Sequence, residues 1–221
     1  MAFICTRRNE MNLRNACLLY GITNREMMGE DAYLQKVEAA LQGGITMLQL
    51  REKGLTDAAY IQLCRQVLPL TQKYNVPLIV NDNPMVAKLG GADGVHVGQN
   101  DMGVQSARAI LGEGKIIGAT AHNIEEALNA SAMGADYLGV GAAFGSQTKL
   151  DAVPIEREEY RKICRKLDIP VVAIGGIEQE NVAELEGRGL SGIAVIGAIF
   201  GAEDVKRATI AMKDAACRYI A

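Results

Sequence analysis

The chain has 221 residues, 49% of them hydrophobic and 22% charged, with a formal net charge of −3. That length suits one large domain with a substantial core, and the balance is that of an ordinary globular protein. There is no basic run to attract nucleic acid or an anionic membrane surface, and no apolar run long enough to cross a bilayer.

Residues 1–15 contain no long apolar core with a cleavage site, so they read as an N-terminal extension ahead of a domain over 16–221. The five cysteines, Cys5, Cys17, Cys64, Cys164 and Cys217, are odd in number and widely scattered, and they form no CxxC. They are expected to be reduced, buried thiols of a cytoplasmic protein.

From residue 17 onward, short apolar runs alternate with amphipathic stretches. The runs are 17–23, 45–51, 76–82, 94–99, 115–121, 137–144, 170–176 and 192–200. Most are almost wholly apolar, as strands buried on both faces of a parallel sheet should be. Helices are predicted over 31–43, 56–73, 124–133, 155–167, 179–188 and 203–220, with shorter ones after the third and fourth strands. In the third of these, Ile124, Leu128 and Ala132 recur every four residues and would form one apolar face. A faint repeat ("GADGVHVGQ", "GADYLGVGAAF", "GLSGIAVIGAIF") marks the joint where a helix closes and a buried strand begins. Eight such units in about 200 residues predict a single-domain (β/α)8 TIM barrel. An open doubly wound sheet would normally need fewer strands, and no GxGxxG follows the first strand.

Barrel active sites lie at the C-terminal ends of the strands, so the polar residues there should gather into one cluster. The second strand ends in "QLREK", where alternation puts Gln49, Arg51 and Lys53 on one face and Leu50 and Glu52 on the other. Three donors on one face, two of them cationic, suit an anionic ligand, although a frayed charged turn would look the same. The third strand ends in Asn81 and Asp82, and Asp101 follows the fourth. These carboxylates offer hard oxygen ligands for Mg2+, a cation that usually keeps water and substrate phosphate in its remaining positions. Taken singly, Asp82 could be a turn residue and Asp101 a helix cap. The fifth strand supplies Thr120 and His122, whereas His96, inside the fourth, reads as a hydrogen-bonded core residue. After the sixth come Ser146, Gln147, Thr148 and Lys149. Glycines end the seventh and eighth strands, where backbone N–H groups can approach a phosphate.

With those motifs in order, "QLREK", "VNDN", "GADGVHVGQNDM", "GATAH", "ADYLGVGAAFGSQTKLDA", "PVVAIGGI" and "GIAVIGAIF", the chain resembles the thiamine phosphate synthase family over nearly the whole barrel. That family joins 4-amino-2-methyl-5-hydroxymethylpyrimidine diphosphate to a thiazole phosphate (or its carboxylate), releasing diphosphate and, from the carboxylate, CO2. The resemblance implies that Asp82 and Asp101 hold Mg2+. It also implies that the segment Gln49, Leu50, Arg51, Glu52 and Lys53, with Asn81, Thr120 and Lys149, binds the pyrimidine diphosphate. Ser146, Gln147 and Thr148 would contact the thiazole phosphate, and Gly176, Ile196 and Gly197 would cradle its phosphate. Arg51, Lys149 and Thr120 would be the catalytic groups. Gly145 stands where the family commonly has proline, Gly197 and Thr120 where it has serine, and Asn24 where it has aspartate. The implied partners are small-molecule substrates, with neither nucleic acid nor membrane, and a homo-oligomer stays open. A sister family of thiazole tautomerases is the alternative. It would work through a histidine at the place of His122 and needs no Mg2+ ligands, so Asp82, Asp101 and Lys149 speak against it. A non-catalytic barrel that only binds thiazole phosphate ranks third.

Overall fold

The computed structural model describes residues 12–99, 101–145 and 154–220. Eight parallel strands follow one another around a closed barrel. In chain order they are β1 (Leu19–Ile22), β2 (Met47–Leu50), β3 (Leu78–Asn81), β4 (Gly94–Val97), β5 (Ile116–Ala121), β6 (Tyr137–Gly141), β7 (Val171–Ile174) and β8 (Gly192–Val195). The helices are α1 (Leu13–Ala16), α2 (Arg25–Met28), α3 (Tyr33–Gly43), α4 (Asp57–Lys73), α5 (Pro84–Gly90), α6 (Val104–Leu111), α7 (Ile124–Ala132), α8 (Arg157–Lys166), α9 (Gly197–Phe200) and α10 (Val205–Tyr219). Of the predicted N-terminal extension, residues 1–11 lie outside the described residues, while Leu13 in α1 packs against the floor of the barrel.

Strand alternation divides the core in two. Outward residues such as Leu48, Val80, Leu138 and Ile193 meet the helices in one continuous apolar layer. Inward residues Tyr20, Met47, Ile79, Tyr137, Val172 and Ala194 fill the lumen. Both faces are dry, which is why the strands read as unbroken apolar runs.

Four expectations need correction. In α7 the buried residues are Ala127 and Ala130, while Leu128 is 43% exposed. Small side chains let the helix approach the barrel closely, so of the expected apolar face only Ile124 packs against the core, while Leu128 and Ala132 are exposed. The run 192–200 is strand only to Val195, and its last four residues form α9, because an apolar run alone cannot distinguish a buried strand from a buried helix. The helix predicted over 179–188 contracts to a 3-10 turn, Val182–Leu185, followed closely by Gly187 and Gly189 in left-handed backbone. Among the described cysteines all four are free, yet Cys217 is exposed rather than buried.

Candidate active site

The C-terminal ends of the strands surround a cavity of about 1300 Å3. Gln49, Arg51, Asn81, Thr120, Gly176, Ile196 and Gly197, all expected from the sequence, contribute to its wall. Strand pairing explains why residues so far apart converge. Each strand end is in register with its neighbour, Ile22 with Gln49 and Asn81 with His96. The β1–β2 corner is tied further by Thr23, whose backbone N–H donates to the Gln49 carbonyl at 2.9 Å. Its hydroxyl accepts from the Arg51 N–H at 2.9 Å. The Arg51 backbone is thus fixed where its guanidinium enters the cavity.

Within "QLREK" the alternation decides which side chains can touch a ligand. Leu50 is fully buried in the layer between barrel and helices. Glu52 also turns outward, where its buried carboxylate accepts from Arg25 Nε at 2.8 Å and from the Tyr33 hydroxyl. The side chains of Leu50 and Glu52 therefore anchor the strand end from behind, which leaves their backbone as the part that could meet a ligand. Lys53 is exposed beyond the cavity wall.

The short polar stretch after β3 divides its labour. Asn81 faces the cavity. Asn83 caps α5, its side chain accepting from the Val86 N–H at 3.0 Å, with Pro84 at the first helical position. Asp82 between them has φ +62°, a left-handed conformation that Asp tolerates better than most residues. Its N–H donates to the His96 carbonyl at 2.8 Å.

Asp101 is not a helix cap, because the cap position of α6 belongs to Gly103. Its Oδ2 instead accepts the Gly98 N–H at 2.8 Å, which holds the carboxylate toward Asp82. Lost hydration at the crowded rim, and then Asp101 beside it as hydrogen-bond partner and like charge, push the Asp82 carboxyl up to about 6. Arg51 pulls in the opposite direction. Two carboxylates pressed together, next to an arginine and an amide, are a donor set whose repulsion a small divalent cation would relieve. Among the described residues no group of three or more His, Cys, Asp or Glu gathers.

Across the mouth the character changes. Gly175 and Gly176 have φ of +106° and +63°, and Asn181 donates to the Gly176 carbonyl at 2.9 Å. Ile196 occupies the cap position of α9 and makes no side-chain capping bond. A side chain built on Gly197 would meet nothing nearer than Met27 Cε, at 4.0 Å. Ser146, Gln147, Thr148 and Lys149 lie outside the described residues. Asn24, in place of the family's aspartate, caps α2 by accepting from the Met27 N–H.

Sequence reasoning passed over Tyr20, which reaches the cavity wall; His96 is the buried, hydrogen-bonded residue expected and reaches the wall as well. The available signal was strand alternation, which puts Tyr20 on the same inward face as Ile22. His122 stands at the rim with Nδ1 2.9 Å from Glu126.

Residues 19–199 match the family model described as thiamine monophosphate synthase. The chain belongs to the thiamine monophosphate synthase family. It is 46% identical over 191 residues to the thiamine-phosphate synthase of Methanobrevibacter smithii, covering 86% of this chain and 91% of that one. To the synthase of Ruminiclostridium cellulolyticum it is 45% identical over 188 residues, or 85% and 90% of the two chains. The solved structure of thiamine phosphate pyrophosphorylase from Pyrococcus furiosus superposes with a TM-score of 0.88 at 40% identity, covering 95% of this chain and all of that one. The activity is that of a thiamine phosphate synthase, a transferase of thiamine biosynthesis acting on small molecules. No described helix is long and apolar enough to cross a membrane.

Proposed function

We propose that the synthase binds the pyrimidine diphosphate along the β2–β5 strand ends and the thiazole phosphate along the β6–β8 ends, and that it works in the cytoplasm. The observation that carries this reading is the pairing of Asp82 with Asp101 beside Arg51, opposite a rim made of glycine backbone. Asp82 and Asp101 would hold Mg2+. When bound there, Mg2+ supplies charge neutralisation for the diphosphate.

The remaining work falls to the chain itself. Arg51 at the cavity wall neutralises the diphosphate oxygens, with Lys53 reaching in from outside the wall and Lys149 joining them, and Asn81 and Thr120 add hydrogen bonds. The bond between the methylene carbon and the diphosphate oxygen breaks heterolytically, and its electron pair leaves with diphosphate. The electron-rich aminopyrimidine stabilises the resulting methylene cation, so no protein nucleophile is required. Ser146, Gln147 and Thr148 with Gly176, Ile196 and Gly197 hold the thiazole phosphate so that its ring nitrogen captures the cation and forms the new C–N bond. Catalysis is then chiefly positioning and electrostatics.

The test is to mix both substrates with the folded protein, with and without Mg2+, and to assay thiamine phosphate and diphosphate. Product that depends on Mg2+ is the expected result. Undiminished product in the presence of a chelator overturns the metal assignment while leaving the family activity intact.

A further inference from the structure

Beneath the cavity floor, five side chains from five strands form one hydrogen-bonded chain through the barrel lumen. Gln49 Nε2 donates to the Tyr20 hydroxyl at 2.8 Å, and the Tyr20 and Tyr137 hydroxyls are 2.8 Å apart. The Tyr137 hydroxyl lies 3.1 Å from His96 Nδ1, and His96 Nε2 lies 3.0 Å from Thr120 Oγ1. Tyr137 packs edge-on against Tyr20 with ring centroids 5.8 Å apart, and its centroid is 5.5 Å from that of His96. Gly118 makes the arrangement fit: a Cβ there would stand 2.2 Å from Tyr137 Cζ and 2.5 Å from His96 Nδ1. Both tyrosines are essentially inaccessible to solvent, and burial raises both phenols far above their ordinary range, so each keeps its single proton.

One proton per hydroxyl makes the bonds run together, all one way or all the other, so the sense of the chain and the orientation of the Gln49 amide are set as one. In the sense in which Gln49 Nε2 donates to Tyr20, the Tyr20 proton goes to Tyr137. The Tyr137 proton then goes to His96 Nδ1, which leaves Nε2–H to donate to Thr120. Both ends open on the cavity. With its amide nitrogen committed inward, Gln49 offers a carbonyl oxygen to the ligand, and Thr120, already accepting, offers a proton.

We propose that Tyr20, Tyr137 and His96 are positioning residues, a relay that couples the Gln49 amide to Thr120 and holds the amide with its oxygen toward the amino group of the pyrimidine and Thr120 as a donor. The proposal rests on the reading that the pyrimidine diphosphate occupies this end of the cavity. Its chemical value lies in the ionisation step. As the C–O bond breaks, the amino nitrogen feeds its lone pair into the ring and its N–H becomes more acidic. A carbonyl acceptor is therefore bound more strongly in the transition state than in the ground state, which is the condition for catalysis. An outward-facing NH2 would oppose the same charge.

The experiment measures kcat/KM for the aminopyrimidine diphosphate and for its analogue with oxygen in place of the amino group. The proteins compared are the full-length enzyme and its Tyr137→Phe, Gln49→Ala and Gln49→Glu variants. Tyr137→Phe lets the Tyr20 hydroxyl turn and donate to the amide oxygen, so Gln49 can flip. Preference for the amino substrate should fall by about tenfold, the worth of one hydrogen bond. KM for the thiazole phosphate should not move. In the Gln49→Glu background, which has an oxygen on either side, Tyr137→Phe should not change the preference further. Should Tyr137→Phe fail to fold, Tyr20→Phe gives the same readout by removing the Gln49 anchor. A folded Tyr137→Phe enzyme with unchanged preference overturns the relay alone, as does a loss that persists in the Gln49→Glu background. If Gln49→Ala leaves binding of the pyrimidine diphosphate untouched, both the relay and the placement of that substrate fall.

Discussion

On the β2–β4 side of the barrel mouth the polar groups are side chains, Arg51, Asn81, Asp82 and Asp101, each held by a backbone contact behind it. On the β7–β8 side they are backbone, exposed because Gly175, Gly176 and Gly197 carry no side chain. The first side concentrates charge: Asp101 crowds Asp82 and helps raise that carboxyl's affinity for protons, and Gly98 and Thr23 supply the bonds that fix Asp101 and Arg51. The second side stays open, with nothing but Met27 near the space above Gly197. On the proposed reading, one half would hold a metal and the leaving group, and the other would let a phosphate come close to main chain.

Mutations should separate the halves. The largest effect is expected from Asp101→Ala, which removes one of the paired carboxylates. Turnover should fall by about 10²–10³ with the fold intact by circular dichroism. Near-normal thiamine phosphate formation would remove Asp101 from the metal site, and if His122→Ala proved the damaging change, tautomerase chemistry would be the better account. Next comes Gly98→Ala. Its Cβ would sit 2.7 Å from Asp101 Oδ2 and push the carboxylate away, so turnover should drop by about ten- to a hundredfold, although no ligand has been deleted.

Opposite them, Gly176→Ala should act on binding rather than turnover. At φ +63°, with a Cβ 2.4 Å from the Gly145 carbonyl oxygen, it forces strain of about 1–3 kcal/mol into the β7 loop. KM for the thiazole phosphate should rise roughly tenfold, and Tm should fall by about 2–10 °C. An unchanged KM would show that the phosphate does not rest on this loop. Gly197→Ser runs the other way, because the space is open and a hydroxyl donor worth about 1 kcal/mol should tighten thiazole phosphate binding roughly fivefold. Titration calorimetry with both substrates shows whether the gain is confined to that ligand.

The smallest effect sharpens the electrostatic half of the contrast. The folded Asp82 carboxyl keeps its proton to about pH 6, against an ordinary value of 3.8. Ionising it therefore works against the fold: the cost is absent below the ordinary value and complete above pH 6. In chelator, Asp82→Asn should melt slightly higher than wild type at pH 8, and the two should converge below pH 4. A variant that melts lower at pH 8 would mean that Asp82 is paired favourably rather than crowded.

The sequence by itself determined the barrel, because eight apolar runs with helical stretches between them admit few other closed arrangements. It also determined most of the cavity wall, since polar residues at strand ends, Gln49 and Arg51, Asn81, Thr120, have one mouth to converge on. Local pattern could not say which way Leu128 faces, nor that the apolar residues after Val195 coil into α9, because both depend on what packs against them. It could hint that Leu50 and Glu52 point away from Arg51, but only Arg25 and Tyr33, brought in from the β1 loop and α3, show what Glu52 is for. The relay is the clearest case of tertiary decision. Tyr20 and Tyr137 are 117 residues apart and belong to strands that are not neighbours. They meet only because the sheet closes on itself and the missing side chain of Gly118 leaves their hydroxyls room. Alternation can assign a residue to the lumen, but its partner across the lumen is set by the barrel's curvature and closure, which no local stretch of sequence encodes.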